Sequence, residues 1–186
     1  MRKLFVLLCY SVALLFLVSA CGNTEDDSSD FTDSAVELGE EFIKELYIID
    51  DPSFEFDSSE SMIDAQNEFS SYLTEKEFEE LAIRRFFLMP LEAASKQNST
   101  IAVQNIEFEQ YDRDPDVTVE EYNDRAESES LDFNHSFTLI FTDQEGNEVE
   151  EVKIKGQMTV VDTEDGLKID RYYDSEIPVD LLYPAN

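Results

Sequence analysis

The chain has 186 residues, in which 44 acidic side chains face 13 basic ones, with one histidine, two cysteines and no tryptophan. A surface this acidic repels phosphate backbones, so no nucleic-acid partner is expected. It repels anionic lipid headgroups for the same reason.

The chain begins MRKLFVLLCYSVALLFLVSAC, placing Arg2 and Lys3 ahead of an apolar run from Leu4 to Val18. That order of charge, apolar core and small residues is what export machinery accepts. The run is too short to span a bilayer comfortably, which takes roughly 20 residues. Val18, Ser19, Ala20 and Cys21 in sequence resemble the lipobox of bacterial lipoprotein precursors. The resemblance implies that residues 1–20 are a signal peptide cut before Cys21, and that Cys21 is acylated on sulfur. The mature chain would then be anchored by lipid to the outer face of the bacterial cell membrane. Two or more acyl chains hold firmly, at ~0.8 kcal/mol per buried methylene. Cys9 leaves with the signal, so Cys21 has no disulfide partner and the domain depends on its core alone. Fourteen Phe and eight Tyr supply enough aromatic area for one.

Residues 21–32 are small, polar and acidic and read as a flexible tether. From Asp33 the pattern is helical, with Ala35, Leu38, Phe42, Leu46 and Ile49 in phase before Pro52. A weaker helix runs from Ser61 to Leu73. Thr74 and Glu77 form a capping box for a third. Its apolar arc contains Phe78, Leu81, Ala82, Phe86, Leu88 and Met89, and Pro90 is expected to kink or end it. A further turn or two follows from Leu91 to Lys96. The period then changes from 3.6 to 2. Ile101 and Val103 occupy odd positions, and Ile106 and Phe108 even ones, which predicts a bulge at Gln104-Asn105. Three further strands run from Phe133 to Phe141, Val152 to Val160 and Leu167 to Tyr173. Turns at Glu145-Gly146-Asn147 and Glu164-Asp165-Gly166 make them an antiparallel meander. A polar insertion separates the first strand from the others at Asp112 to Ser130, with Thr118 and Glu121 placed to start a short helix. Residues 33–178 therefore read as a single α+β domain, with helices on one face of a curved antiparallel sheet. Residues 179–186 are a tail. This element order and the bulge resemble the NTF2-like (cystatin-like cone) superfamily, which includes isomerases, dehydratases and non-catalytic binding modules.

Polar residues fall at positions the pattern assigns to the interior. His135 lies between Phe133 and Phe137, Arg171 and Tyr173 continue the alternation of Ile169, and Arg85 falls on the third helix's apolar arc. In a cone-like fold these converge, and a pocket of imidazole, guanidinium and phenol groups suits a small anion or a carbonyl. The competing reading is structural: arginines paired with carboxylates and a histidine bonded within the core. An acid–base role for His135 also needs an oriented carboxylate beside it, and Asp132, Asp143 and Asp170 all fall outside the inward phase. Asp112, Asp114 and Asp116 open like a calcium loop. However, Val117 and Asn123 stand where the loop needs glycine and glutamate, so no metal site is expected. One histidine and no cysteine beyond Cys21 exclude zinc held by nitrogen and sulfur. There is no Gly-rich phosphate loop, no Gly-x-Ser-x-Gly elbow and no sign of any other cofactor.

The leading expectation is an envelope lipoprotein with a non-catalytic domain that binds a small ligand or an envelope protein. One alternative is an NTF2-like enzyme using His135 with Arg171 or Tyr173. Another is a structural or assembly role through the outer sheet face, where Glu151, Lys153, Lys155 and Gln157 project.

Overall fold

A computed structural model of the protein describes residues 26–53, 58–111, 130–175 and 177–182. The signal, Val18, Ser19, Ala20 and Cys21 lie outside them, as do the alternating aspartates and expected short helix of the insertion. The compact unit begins at Ser34.

Helix α1 spans Asp26–Tyr47, so it starts inside the stretch expected to be tether. No Gly or Pro interrupts the chain between Gly22 and Gly39, and acidic residues near a helix N-terminus complement its dipole. From Ser34 onward Ala35, Phe42, Ile43, Leu46 and Tyr47 recur at helical spacing, and all are buried. Helix α2 (Ser59–Asn67) is capped by Ser58, whose hydroxyl accepts the Ser61 N–H, and it tightens into a 3-10 turn at Glu68–Ser71.

Helix α3 (Glu75–Ile83) starts at Thr74, whose hydroxyl accepts the Glu77 N–H. It stops well short of Met89. Arg85 adopts a left-handed conformation (φ 58°), and Phe86–Leu88 form a 3-10 turn. Helix α4 then runs Met89–Gln97, with Pro90 in its first turn. Pro90 therefore helps open a helix instead of ending one, since a first-turn residue has no intrahelical N–H bond to lose. The break has a packing reason. Phe86, Phe87 and Leu88 are consecutive, and one helical stripe cannot take all of them. Across the turn, Phe87 and Leu88 are both 1% exposed.

The sheet is four-stranded and antiparallel, in the order β1 (Thr100–Gln110), β2 (Ser130–Thr142), β3 (Glu148–Thr163), β4 (Gly166–Asp174). Helices and sheet make an α+β fold, and Phe42, Tyr47, Phe69 and Phe87 pack with Phe137, Ile154 and Tyr172 in one core. The bulge in β1 falls where expected, between Gln104 and Glu107, with Asn105 left-handed at φ 54°. The β3–β4 turn closes at Gly166, whose φ of 96° favours a residue without Cβ. After β4, Ile177 is buried, a short helix α5 spans Val179–Leu182, and Leu181 joins the core.

A second bulge was not expected. Thr159 pairs with Arg171 and Val160 with Ile169, so Asp170 is an extra residue in β4. The strand's phase reverses there, because side chains alternate with a period of two.

Both sheet edges are held to the helical segments by single bridges. Ile49 pairs with Ile101 on β1, and Leu73 pairs with Ile169 on β4. At the second bridge the Thr74 hydroxyl donates to Asp170 Oδ1 (3.1 Å). One turn further on, Glu77 Oε1 accepts the Tyr172 N–H (2.8 Å), satisfying a strand donor that has no neighbouring strand. Glu77 is 7% exposed, and burial raises its pKa. The substitution Glu77→Ala leaves that N–H buried and unpaired. It should lower unfolding free energy by about 1–3 kcal/mol, read as an earlier urea midpoint with an unchanged slope.

Candidate functional site

The inward face of the sheet carries a cluster of polar side chains in an aromatic setting. His135, on β2, is 3% exposed. Its ring stacks on Tyr172 (centroids 5.1 Å apart, planes 15°) and Phe137 (6.0 Å, 16°). Across the ladder it faces Gly156 of β3. A Cβ at Gly156 would lie 2.0 Å from the Tyr173 carbonyl oxygen and 2.5 Å from His135 Nε2. Glycine is therefore what lets the imidazole lie flat against the neighbouring strand. Tyr172 also meets Phe42 edge-on at 4.9 Å and Phe86 at 5.8 Å. Beside it the Tyr47 hydroxyl donates to Asp174 Oδ2.

Electrostatics follow from burial. Desolvation lowers the His135 pKa from 6.5 to about 4, so the ring is neutral at pH 7. Neither ring nitrogen has a hydrogen-bond partner among the described residues. Burial, and then the Asp174 carboxylate, hold both Tyr47 and Tyr172 well above the usual phenol range.

The sequence-expected pocket is not assembled. Of its residues only His135 faces inward. Arg171 and Tyr173 lie on the opposite side of β4, with Tyr173 59% exposed. The bulge at Asp170 puts Tyr172 and Asp174 into the positions expected for them. Arg85 is turned outward by its left-handed backbone and pairs with Glu92 at 2.6 Å, its side chain 58% exposed. Tyr47, Tyr172, Asp174 and Glu77 were missed. A charged Arg171 on an otherwise apolar phase was itself a signal that the phase had slipped.

The outward side chains Glu107, Glu109, Asn134, Ser136 and Lys155 line a cleft of about 590 Å³, with Phe108, His135 and Gly156 completing its lining. Both imidazole nitrogens are buried, so the ring offers this cleft no donor or acceptor. A second cleft, of about 530 Å³, is lined by Glu41, Lys44, Glu45, Ile48, Asp50 and Tyr72. Among the described residues no group of three or more His, Cys, Asp or Glu could hold a metal ion.

The sequence matches no known protein family, and no curated protein is similar to it in sequence. In three dimensions the chain is similar to a solved structure titled as a periplasmic fragment of TraM, with a TM-score of 0.50 and 10% identity. The match covers 78% of this chain and 98% of that one. At that identity the likeness concerns the fold. Among the described residues no helix is long and apolar enough to cross a membrane.

Two outcomes test the cluster. Because the folded-state His135 value lies below 6.5, the unfolded chain takes up this proton first as pH falls. The contribution is intact above about pH 6.5 and is lost down to about pH 4, at roughly 1.4 kcal/mol per pH unit. His135→Phe should flatten the stability profile in that window relative to wild type, as read by urea melts at several pH values. Equal slopes would mean that His135 does not titrate as described. Gly156→Ala collides with backbone as well as with the ring, and should cost about 3 kcal/mol or more, measured as a fall in urea midpoint at neutral pH.

Proposed function

We propose that this protein is a cell-envelope lipoprotein, held on the outer face of the bacterial membrane by acylated Cys21, whose domain is a non-catalytic binding module built on an NTF2-like cone. The observation that carries the non-catalytic part is the filled interior. In the catalytic reading His135 works with Arg171 or Tyr173, yet those two side chains lie across the strand from it and both of its nitrogens are buried, with rings stacked on the imidazole. A general base must come within about 3 Å of the proton it removes, and nothing outside reaches this one. What the domain offers a partner is its exterior, where carboxylates and the outward sheet residues lie. The anchoring part rests on the charge, apolar run and lipobox-like ending of residues 1–21. Likeness to a fragment described as periplasmic supports the same side of the membrane.

Replacing Cys21 by Ala should move the protein from the membrane pellet to the soluble fraction and abolish incorporation of labelled palmitate. A variant that keeps both the label and the pellet sinks the anchor.

A further inference from the structure

Among the described residues, the edge of β1 opposite β2 has features of a strand-addition site. At its start Ile101 gives its N–H and C=O to Ile49, away from β2. Past the bulge the Tyr111 N–H donates to the Asp132 carbonyl. Backbone groups alternate sides along an antiparallel strand, so those of Glu109 and Glu107 also turn toward β2. The N–H and C=O groups of Phe108 and Gln110 therefore point to the open side, and neither residue has a backbone partner there among the described residues.

The side chains along this edge narrow the choice of occupant. Phe108 is half-buried on the inward face, while Glu107 and Glu109 are exposed on the outward one. Neither glutamate forms an ion pair among the described residues. The nearest basic residue in their ladder rows is Lys155, aligned with Glu107 through Ser136. It sits two strand spacings away, about 10 Å between backbones, and forms no ion pair with Glu107 among the described residues. A second copy pairing edge to edge would set glutamates against glutamates, an unfavourable arrangement of like charges on facing strands. Edge charges that prevent such self-pairing also select what can pair.

We propose that the Glu107–Gln110 edge of β1 accepts, as an added strand, an extended segment of a partner protein with basic residues at alternate positions and apolar residues between them. Backbone bonds to Phe108 and Gln110 supply the register, and the apolar residues cover Phe108. The basic side chains meet Glu107 and Glu109, where the cleft lined by Asn134 and Ser136 gives their long stems room. The proposal rests on the reading of the domain as a binding module, and names the chemistry of its partner.

The test uses the full chain in detergent and a fluorescently labelled peptide of alternating lysine and valine, followed by anisotropy. Wild type should bind it, and the double variant Glu107→Gln, Glu109→Gln should bind about tenfold more weakly. The double variant Glu148→Gln, Glu150→Gln, which removes the same charge elsewhere on the sheet, should bind like wild type. A peptide of identical charge with its backbone N-methylated along one edge should not bind. Absence of wild-type binding, equal weakening by the control variant, or undiminished binding of the methylated peptide would each overturn the proposal. None of these touches the anchor, whose own test is membrane release of Cys21→Ala.

Discussion

The single extra residue at Asp170 decides which side of β4 meets the helices. Upstream of it Leu167 and Ile169 face inward, and downstream Tyr172 and Asp174 do. Tyr172 then becomes the centre of the aromatic packing, stacked on His135 and edge-on to Phe42 and Phe86. Asp174 receives the Tyr47 hydroxyl from α1. Without the slip, Arg171 would need a buried counter-ion in that space, at a desolvation cost of several kcal/mol. The slip is held in place from outside the sheet, because Thr74 binds the Asp170 side chain and Glu77 takes the Tyr172 N–H. Helix start, strand bulge and aromatic centre therefore form one connected arrangement.

Much of this was legible in the residues. The element order, the helical faces and the antiparallel meander follow from a period that changes from 3.6 to 2 at Ile101. The β1 bulge was legible because Ile101 and Val103 stand on one parity and Ile106 and Phe108 on the other. The β4 bulge was not. Arg171, Tyr172 and Tyr173 put an aromatic residue on both parities, so either phase looks acceptable. Arg85 departs from the expected apolar arc for a different reason. Nothing in local sequence marks a left-handed residue at the second of two arginines, and only the demand to bury Phe87 and Leu88 together explains it. Both errors share a lesson: a charge in an apolar phase tests the phase before it suggests a site.

The interior carries polar groups among its aromatic rings in a stretch, residues 34–186, that contains no cysteine. The Tyr47 hydroxyl donates to Asp174, while His135 gains stacking on two rings without a hydrogen bond among the described residues. Such a core is less forgiving than an aliphatic one, because each polar group has few acceptable positions. The exterior works by the opposite rule. There a large excess of carboxylates keeps like surfaces apart, and three of the sheet's four basic residues, Lys153, Lys155 and Arg171, stand exposed among them, while Lys168 is half-buried and donates to the Ser71 carbonyl.

The clamp between helix and bulge also bears on the order of events in folding. The β2–β3 and β3–β4 hairpins join close neighbours in the chain, whereas Thr74 and Asp170 are 96 residues apart. Closing so long a loop adds only about 0.6 kcal/mol per doubling of length, but distant contacts are made slowly. In the folded chain the Asp170 carboxylate meets Thr74 with the extra residue of β4 in place. A β3–β4 pairing one residue out of register would turn Tyr172 and Asp170 to the wrong faces and forgo both bonds to α3 and its cap, so the clamp favours the native register.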